Sequence, residues 1–144
     1  MSFFDSINIA ASGLTAQRMR MDVTAENLAN AQTTQGANGQ PYQRQEVVLQ
    51  QVGGFGATLQ AALGNAPTPG GVQVAGIVSD PTPDQEVYDP GNPAANAQGY
   101  VKMPNVNTVE EMTDMIDESR SYDADVTAMT TAKTMYSNTL ELLK

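Results

Sequence analysis

Residues 108–143 read TVEEMTDMIDESRSYDADVTAMTTAKTMYSNTLELL and contain neither Gly nor Pro, and this stretch decides the fold. Large side chains recur in it at alternating steps of three and four residues, the a/d repeat of a coiled-coil helix. The positions of this stripe are Met112, Met115, Ser119, Tyr122, Val126, Met129, Lys133, Tyr136, Leu140 and Leu143. Thr108 and Glu111 have the spacing of a capping box, which predicts that the helix begins at residue 108.

Residues 1–31 show the same pattern at the other end of the chain. Gly13 is their only Gly and no Pro occurs before Pro41, so a helix is predicted over residues 3 to about 31. Its stripe also alternates steps of three and four residues. The positions are Ile7, Ala11, Leu14, Arg18, Met21, Ala25 and Leu28. The sequence therefore predicts two long amphipathic helices, the second of them in residues 108–144.

The middle of the chain, residues 32–107, has a different composition. It holds eleven of the twelve Gly residues and all eight Pro residues, a density that excludes long helices. Four candidate strands lie between these breakers, at residues 43–52, 72–78, 86–88 and 99–103. The predicted fold is therefore mainly α with a small β element. Its long N- and C-terminal helices pair as an antiparallel coiled coil or bundle, and its middle is short-stranded and loop-rich.

The two helices need something to pack against. A large apolar side chain contributes about 2 kcal/mol when it is buried, and a few such residues do not offset the conformational entropy that a whole helix loses. Two interpretations stay open. The pattern alone favours an ordinary soluble bundle whose core is formed by the two stripes. The middle region, however, has few large apolar residues with which to cover both helices, which favours self-assembly or a partner protein.

The composition argues against several function classes. The chain carries 7 Lys+Arg against 16 Asp+Glu and a net charge of −9, without a basic run, so we expect no nucleic-acid partner. It has no Cys and no His, the residues most used for metal binding and general base catalysis. No window approaches the roughly 20 apolar residues that a membrane span needs. We therefore predict no metal, no cofactor, no enzymatic activity and no direct membrane insertion.

Carboxylates are the remaining candidates for chemistry. Glu110, Asp114 and Glu118 are spaced four residues apart on the second helix. An acid–base pair among them would need burial or coupling to shift a pKa. These residues lie off the apolar stripe, so the prediction is a solvated acidic face. Residues 53–56, Gly-Gly-Phe-Gly, lack the Lys-Ser/Thr of a phosphate-binding loop and are interpreted as a flexible loop.

Two phrases go beyond composition and periodicity. The first is Ala-Ser-Gly-Leu at residues 11–14, followed by Asn-Leu-Ala-Asn at residues 27–30. The second is Gly-Tyr-Val-Lys-Met-Pro-Asn-Val-Asn at residues 99–107. Together they resemble the axial proteins of the bacterial flagellum. The first phrase is shared by rod, hook and related proteins, whereas the second favours the rod subunits.

The resemblance implies a structural role. In this family the terminal helices pair into a coiled-coil layer that lines a hollow tube, which crosses the periplasm and transmits torque from the motor to the hook. The subunits are exported by the flagellar type III apparatus without a cleaved signal peptide. The implied partners are copies of the chain itself, other rod proteins and that export apparatus. The alternatives are a different rod or axial subunit and a helical interaction module outside any filament.

On this interpretation the two stripes form the assembly interface, within one subunit or between subunits. Asn27 and Asn30 are expected either to cap the end of the first helix or to contact a neighbouring subunit. The acidic residues from 110 to 125 face solvent, meet neighbours or line the channel. The predicted interface residues are Ile7, Leu14, Met21, Asn27, Leu28, Asn30, Met112, Met115, Tyr122, Val126, Met129, Tyr136 and Leu140.

Overall fold

The computed structural model describes residues 3–36, 38–53, 62–63 and 70–141. In chain order its main elements are α1 (Phe3–Ala29), β1 (Gln45–Gln51), β2 (Val72–Ser79), β3 (Gln85–Tyr88), β4 (Tyr100–Met103) and α2 (Thr108–Glu141). The two predicted helices and the four predicted strands are thereby confirmed. Most of the predicted loop at residues 53–56, and residues 142–144 at the end of the second predicted helix, lie outside the described residues.

The two helices pack against each other in antiparallel directions. Asn27, near the end of α1, donates a hydrogen bond to Glu111, near the start of α2. Gly13 lies further back on α1 and faces Asp125, which lies further along α2, since a Cβ added to Gly13 would be 2.8 Å from Asp125 Oδ2. The one Gly of α1 therefore stands where α2 leaves little room for a side chain.

The buried interior is small. Among the described residues, the buried apolar side chains are Ala16, Val23, Ala31, Val101, Pro104 and Val106. The buried polar side chains are Thr24, Asn27, Glu111 and Glu118. A protein with so few buried apolar groups gains little hydrophobic stabilisation, so its polar interior contacts weigh heavily in the fold. Over their described residues, neither helix is long and apolar enough to cross a membrane.

The first hairpin is attached to α1 through Ser12. Strands β1 and β2 pair antiparallel, with a register shift between Val48 and Leu49. The Val72 N–H at the start of β2 donates to Ser12 Oγ over 3.0 Å, and that hydroxyl donates to the Ile9 carbonyl over 2.7 Å. A Cβ on Gly71 would collide with Ser12. Ser12 and Gly71 therefore allow the strand to start directly on the helix surface.

The second hairpin pairs β3 with β4 antiparallel, and Tyr88 lies opposite Tyr100. Their rings make an edge contact with centroids 5.3 Å apart. Gly99 precedes β4 with φ of +82°, and a Cβ there would lie 2.9 Å from the Tyr88 ring. A residue with a side chain would be strained at this position on both grounds. Val101, one residue into β4, is buried.

The helix α2 begins at Thr108, as predicted, but a different residue caps it. The Val109 N–H donates to Asn107 Oδ1 over 3.1 Å, and the Glu111 N–H donates to the Asn107 carbonyl over 3.0 Å. Asn107 is therefore the N-cap residue, and the predicted capping box of Thr108 with Glu111 is wrong. The Glu111 side chain does not cap the helix. It turns into the interior of the protein, where it accepts hydrogen bonds from Asn27 and Arg44.

Candidate assembly site

A buried polar junction joins α1, β1 and α2, and we define it by Asn27, Tyr42, Arg44 and Glu111. Asn27, only 1% exposed, lies at its centre. Its Nδ2 donates to the Gln45 carbonyl and to Glu111 Oε2, each over 2.9 Å. Its Oδ1 accepts from the Gln45 N–H at 2.9 Å and from the Tyr42 hydroxyl at 3.0 Å. The amide thereby uses both donors and both lone pairs.

Arg44 supplies the positive charge of the polar junction. Its Nε donates to Glu111 Oε1 over 2.5 Å, and Glu111 is 1% exposed. The same guanidinium pairs with Glu46 and lies 3.6 Å from Asp80 and 3.7 Å from Asp114. Burial opposes the charge of Arg44, but hydrogen bonds to Glu111 and Glu46 outweigh it and raise the pKa of the guanidinium. Arg44 therefore stays charged and holds the start of β1 against α2.

Tyr42 is the fourth residue of the polar junction and lies near the carboxylates of Glu26 and Glu111. Burial raises the pKa of its hydroxyl, and the charges of Glu26 and Glu111 raise it further. The hydroxyl therefore remains protonated at neutral pH. It can keep donating its hydrogen bond to Asn27.

The phrase at residues 99–107 fixes the hairpins to the polar junction through Asn105. Its Oδ1 accepts from the Arg44 N–H at 2.8 Å. Its Nδ2 donates to the carbonyls of Thr82 at 3.1 Å and Asp80 at 3.4 Å. The neighbouring residues Pro104 and Val106 are buried. Residues 99–107 thus include Gly99 in the turn before β4, Asn105 bonded to Arg44, and Asn107 as the N-cap of α2.

A cleft of about 370 Å³ opens beside the polar junction, between α1, β1 and α2. Glu118 lines it and is 5% exposed. Its Oε1 accepts a hydrogen bond from the Thr24 hydroxyl at 3.4 Å and lies 3.2 Å from Arg20 Nε. Within the described ranges its Oε2 has no hydrogen-bond partner. Burial raises the pKa of Glu118, although Arg20 and Thr24 act in the opposite direction.

The predicted solvated acidic face is therefore wrong at two positions. Glu118 and Glu111 are buried, because α1 and the start of β1 lie over this part of α2. Glu110 is exposed, as predicted. Asp114 is partly exposed at the mouth of the cleft, with its carboxylate 3.7 Å from Arg44. Helical spacing on α2 alone gives no sign of which carboxylates another element covers.

Three predicted interface residues lie together on the opposite side of the helix pair. Leu28, Met112 and Met115 line an open groove of about 390 Å³ with Ile116, and Ser119 and Arg120 complete its lining. We call this the apolar groove. Met112 is 55% exposed and Ile116 is 53% exposed. Ile116 is not among the predicted interface residues, because it directly follows Met115 and so lies off the alternating stripe.

The other predicted interface residues lie at intermediate depth or outside. Those partly covered within the chain are Ile7, Leu14, Met21, Tyr122 and Met129. Those exposed are Val126, Tyr136 and Leu140. The buried positions of α1 are instead Ala16, Val23, Thr24 and Asn27. Of these, Thr24 and Asn27 donate to carboxylates of α2. The predicted stripe thus lies beside the intrachain contact, and its role at an interface stays a prediction.

The two Asn residues of the first phrase have different roles. Asn30 acts locally, as the capping alternative predicted. Its Nδ2 donates to the Glu26 carbonyl over 3.0 Å, and its Oδ1 accepts from the Thr33 hydroxyl at 3.2 Å. Asn27 does not cap the helix, since its side chain reaches β1 and α2. The capping alternative is therefore wrong for Asn27.

Two family models of known proteins match the two ends of the chain. The family model described as "Flagella basal body rod protein" matches residues 7–38, and the model described as "Flagellar basal body rod FlgEFG protein C-terminal" matches residues 97–142. These segments contain the two phrases on which the resemblance to flagellar axial proteins rests. The first also contains Asn27, and the second contains Asn105 and Glu111.

Full-length relatives share one description, "Flagellar basal-body rod protein FlgC". The protein from Escherichia coli O6:H1 is 46% identical, with 99% of this chain and 98% of the relative covered. The protein from Bacillus subtilis (strain 168) is 45% identical, with both chains covered completely. The protein from Borreliella burgdorferi is 40% identical over 100% of this chain and 99% of the relative. The chain therefore belongs to the FlgC family of flagellar basal-body rod proteins.

Proposed function

We propose that the chain is a structural subunit of the proximal rod of the bacterial flagellum. Its terminal helices pack as a coiled-coil layer with those of further copies and of other rod proteins, around a hollow shaft that passes exported subunits. The family membership supports the role as a rod subunit. The apolar groove is the observation that supports packing between the helices of different subunits. Large apolar side chains remain exposed there although α1 and α2 are already paired.

The composition of the apolar groove suits a protein partner. An open, contiguous apolar surface is unfavourable in water and is typical of an interaction site. Two of its four large side chains are Met, whose flexible thioether adapts to differently shaped neighbours. The exposed Met112 and Ile116 are the side chains with most area left to bury. Packing a neighbouring helix into the groove would stabilise the assembly by about 2 kcal/mol for each large apolar side chain that becomes covered.

The far end of α2 offers a second contact region. Since Gly13 faces Asp125, the two helices can be aligned along their length. From that level, α2 continues for sixteen residues to Glu141, whereas α1 continues for ten residues back to Phe3. The end of α2 therefore extends beyond the described part of α1, by roughly 9 Å at 1.5 Å per residue. Met135 and Leu140 on this end are exposed, as a subunit that packs against the next one requires.

The polar junction supports the transmission of torque. Load applied to the helices reaches the hairpins through the side chains of Asn27 and Arg44 and through Asn105. Hydrogen bonds to charged groups are directional and stronger than neutral ones, so they resist rotation of the helix pair relative to the sheet. The small apolar interior favours export for a different reason. A chain with little buried apolar surface unfolds at low cost before it passes a narrow export channel.

The test is incorporation of variant chains into basal bodies of a strain that lacks its own copy. Met112→Asp places a charge in the apolar groove, and Thr113→Asp places the same charge on the exposed neighbouring position. Both purified chains are expected to unfold within about 0.5 kcal/mol of wild type, since both sites are exposed. Met112→Asp is expected to be absent from purified basal bodies and Thr113→Asp to be present. Normal incorporation of Met112→Asp would contradict the packing, and absence of the wild-type chain from basal bodies would contradict the function itself.

A further inference from the structure

The cleft beside the polar junction carries an excess of negative charge. Its lining includes two cationic side chains, Arg20 and Arg44, and four carboxylates, which are Glu46, Glu111, Asp114 and Glu118. Its volume of about 370 Å³ is large enough for the end of a Lys or Arg side chain. The cleft is therefore open to a positively charged group from outside the chain.

The two cations of the cleft are already engaged. Arg44 directs its guanidinium to Glu111 and Glu46. Arg20 lies 3.2 Å from Glu118 Oε1 and leaves the second oxygen of that carboxylate without a hydrogen-bond partner among the described residues. Glu118 is 95% buried, so its Oε2 has lost most of its water without gaining a donor. A buried carboxylate oxygen without a donor destabilises the fold, and a donor entering the cleft would remove that cost.

The chemistry of the missing donor follows from the same residues. The described part of the chain contains no group of three or more His, Cys, Asp or Glu side chains that could hold a metal ion. A single guanidinium or ammonium group suits the cleft better. It can approach the half-exposed carboxylate of Asp114 at the mouth, and it can donate to Glu118 Oε2 once the covered carboxylate turns toward the cleft. In the proposed rod, such groups are the side chains of neighbouring subunits.

We infer that this cleft is a socket for one Lys or Arg side chain of a neighbouring rod subunit, held by Glu118 Oε2 and by Asp114. The inference rests on the proposed function. It adds an electrostatic contact to the apolar packing and assigns it to the side of the helix pair that faces β1. Charged contacts of this kind fix which partner binds and in which register, whereas apolar packing alone permits several.

The test compares Glu118→Gln with Asp117→Asn, its exposed neighbour on α2. Glu118→Gln removes the charge and keeps the shape. In the purified chain it is expected to unfold at the same or a higher urea concentration than wild type, because burial disfavours the charged carboxylate. In cells it is expected to enter basal bodies at least about tenfold less than wild type, as when one partner of a buried charge pair is lost. Asp117→Asn is expected to enter normally.

Two results overturn the inference. The first is normal incorporation of Glu118→Gln in a strain where wild-type chain enters basal bodies, which leaves the proposed function intact. The second is a lower urea midpoint for purified Glu118→Gln, because the charge would then serve the fold of the single chain through Arg20. If wild-type chain is itself absent from basal bodies, the proposed function fails and the socket fails with it.

Discussion

The side-chain amide of Asn27 forms with the backbone of Gln45 the same pair of hydrogen bonds that a neighbouring strand would form. Nδ2 donates to the Gln45 carbonyl and Oδ1 accepts from the Gln45 N–H, each over 2.9 Å. Gln45 is the first residue of β1, so a helix side chain completes the beginning of the strand. Buried backbone groups need partners, and here a single amide supplies both.

Replacing Asn27 with Ala should therefore destabilise the chain by about 3 kcal/mol or more, because the N–H and carbonyl of Gln45 would lose their partners. Asn8→Ala on the exposed surface of the same helix is the matched control and should change stability by less than about 0.5 kcal/mol. Urea unfolding followed by circular dichroism measures both. Equal midpoints for the two variants would show that the amide is not needed.

The ion pair between Arg44 and Glu111 should be strongly coupled. Removing Arg44 alone leaves the buried charge of Glu111 without its cation, which costs about 3 to 5 kcal/mol, whereas replacing both residues with apolar ones costs less than the sum of the two single changes. A double-mutant cycle with Arg44→Met and Glu111→Leu measures this coupling through unfolding free energies. Glu46→Gln, at the exposed end of the same network, should cost about 1 kcal/mol or less. Additive single effects for Arg44 and Glu111 would contradict the pairing.

Glu118 should give the stability of the chain a specific pH dependence. Burial raises the pKa of Glu118 in the folded state above its ordinary value of 4.5. Between pH 4.5 and the raised pKa, the folded chain therefore binds more protons than the unfolded chain. The unfolding free energy should then fall as pH rises from about 4.5 through the raised pKa. Glu118→Gln should remove this fall.

Asp80 affects the pH dependence of stability in the opposite direction, and it does so at pH values below 3.8. Hydrogen bonds from the Thr82 hydroxyl and N–H lower its pKa below 3.8, so its contribution is present above that value and is lost as pH falls through the lowered pKa. The difference between wild type and Glu118→Gln above pH 4.5 therefore isolates Glu118. A wild-type stability that rises across that range relative to Glu118→Gln would contradict the assigned burial.

Gly13 should respond to the residue that faces it on α2. Ala favours a helix interior over Gly by about 1 kcal/mol. A Cβ at this position would lie 2.8 Å from Asp125 Oδ2, so the gain should be lost in the wild-type chain. In a background carrying Asp125→Ala, the change Gly13→Ala should recover a stabilisation of about 1 kcal/mol. An equal effect of Gly13→Ala in both backgrounds, measured by thermal unfolding, would show that the helices are further apart there.

Much of the secondary structure could be predicted from local pattern. A long stretch without Gly or Pro and with regular steps of three and four residues has few alternatives to a helix, and α2 formed where that pattern occurs. The four strands appeared between the Gly and Pro residues that delimit them. The helix α2 begins at the predicted residue, but its N-cap is Asn107 and not Thr108. Both are good N-cap residues, and only the structure shows which one accepts the hydrogen bond.

The site was harder to predict because its contacts join distant parts of the chain. Asn27 lies on α1, Arg44 directly before β1 and Glu111 on α2, and local spacing rules do not connect them. The stripe was read from the largest apolar side chains, whereas the buried contact uses Ala16, Thr24 and Asn27. Small and polar residues allow two helices to approach and then form hydrogen bonds, but they contribute little to a hydrophobic pattern.

The most direct test of the account is the accessibility of Ile116 before and after assembly. The chain contains no Cys, so Ile116→Cys introduces a single thiol in the apolar groove. In the purified chain, where Ile116 is 53% exposed, the thiol should react rapidly with a maleimide reagent. In purified basal bodies it should react at least about tenfold more slowly, and dissociating them in denaturant should restore the fast rate. Equal reactivity in the purified chain and in intact basal bodies would contradict the claim that neighbouring subunits pack into the apolar groove.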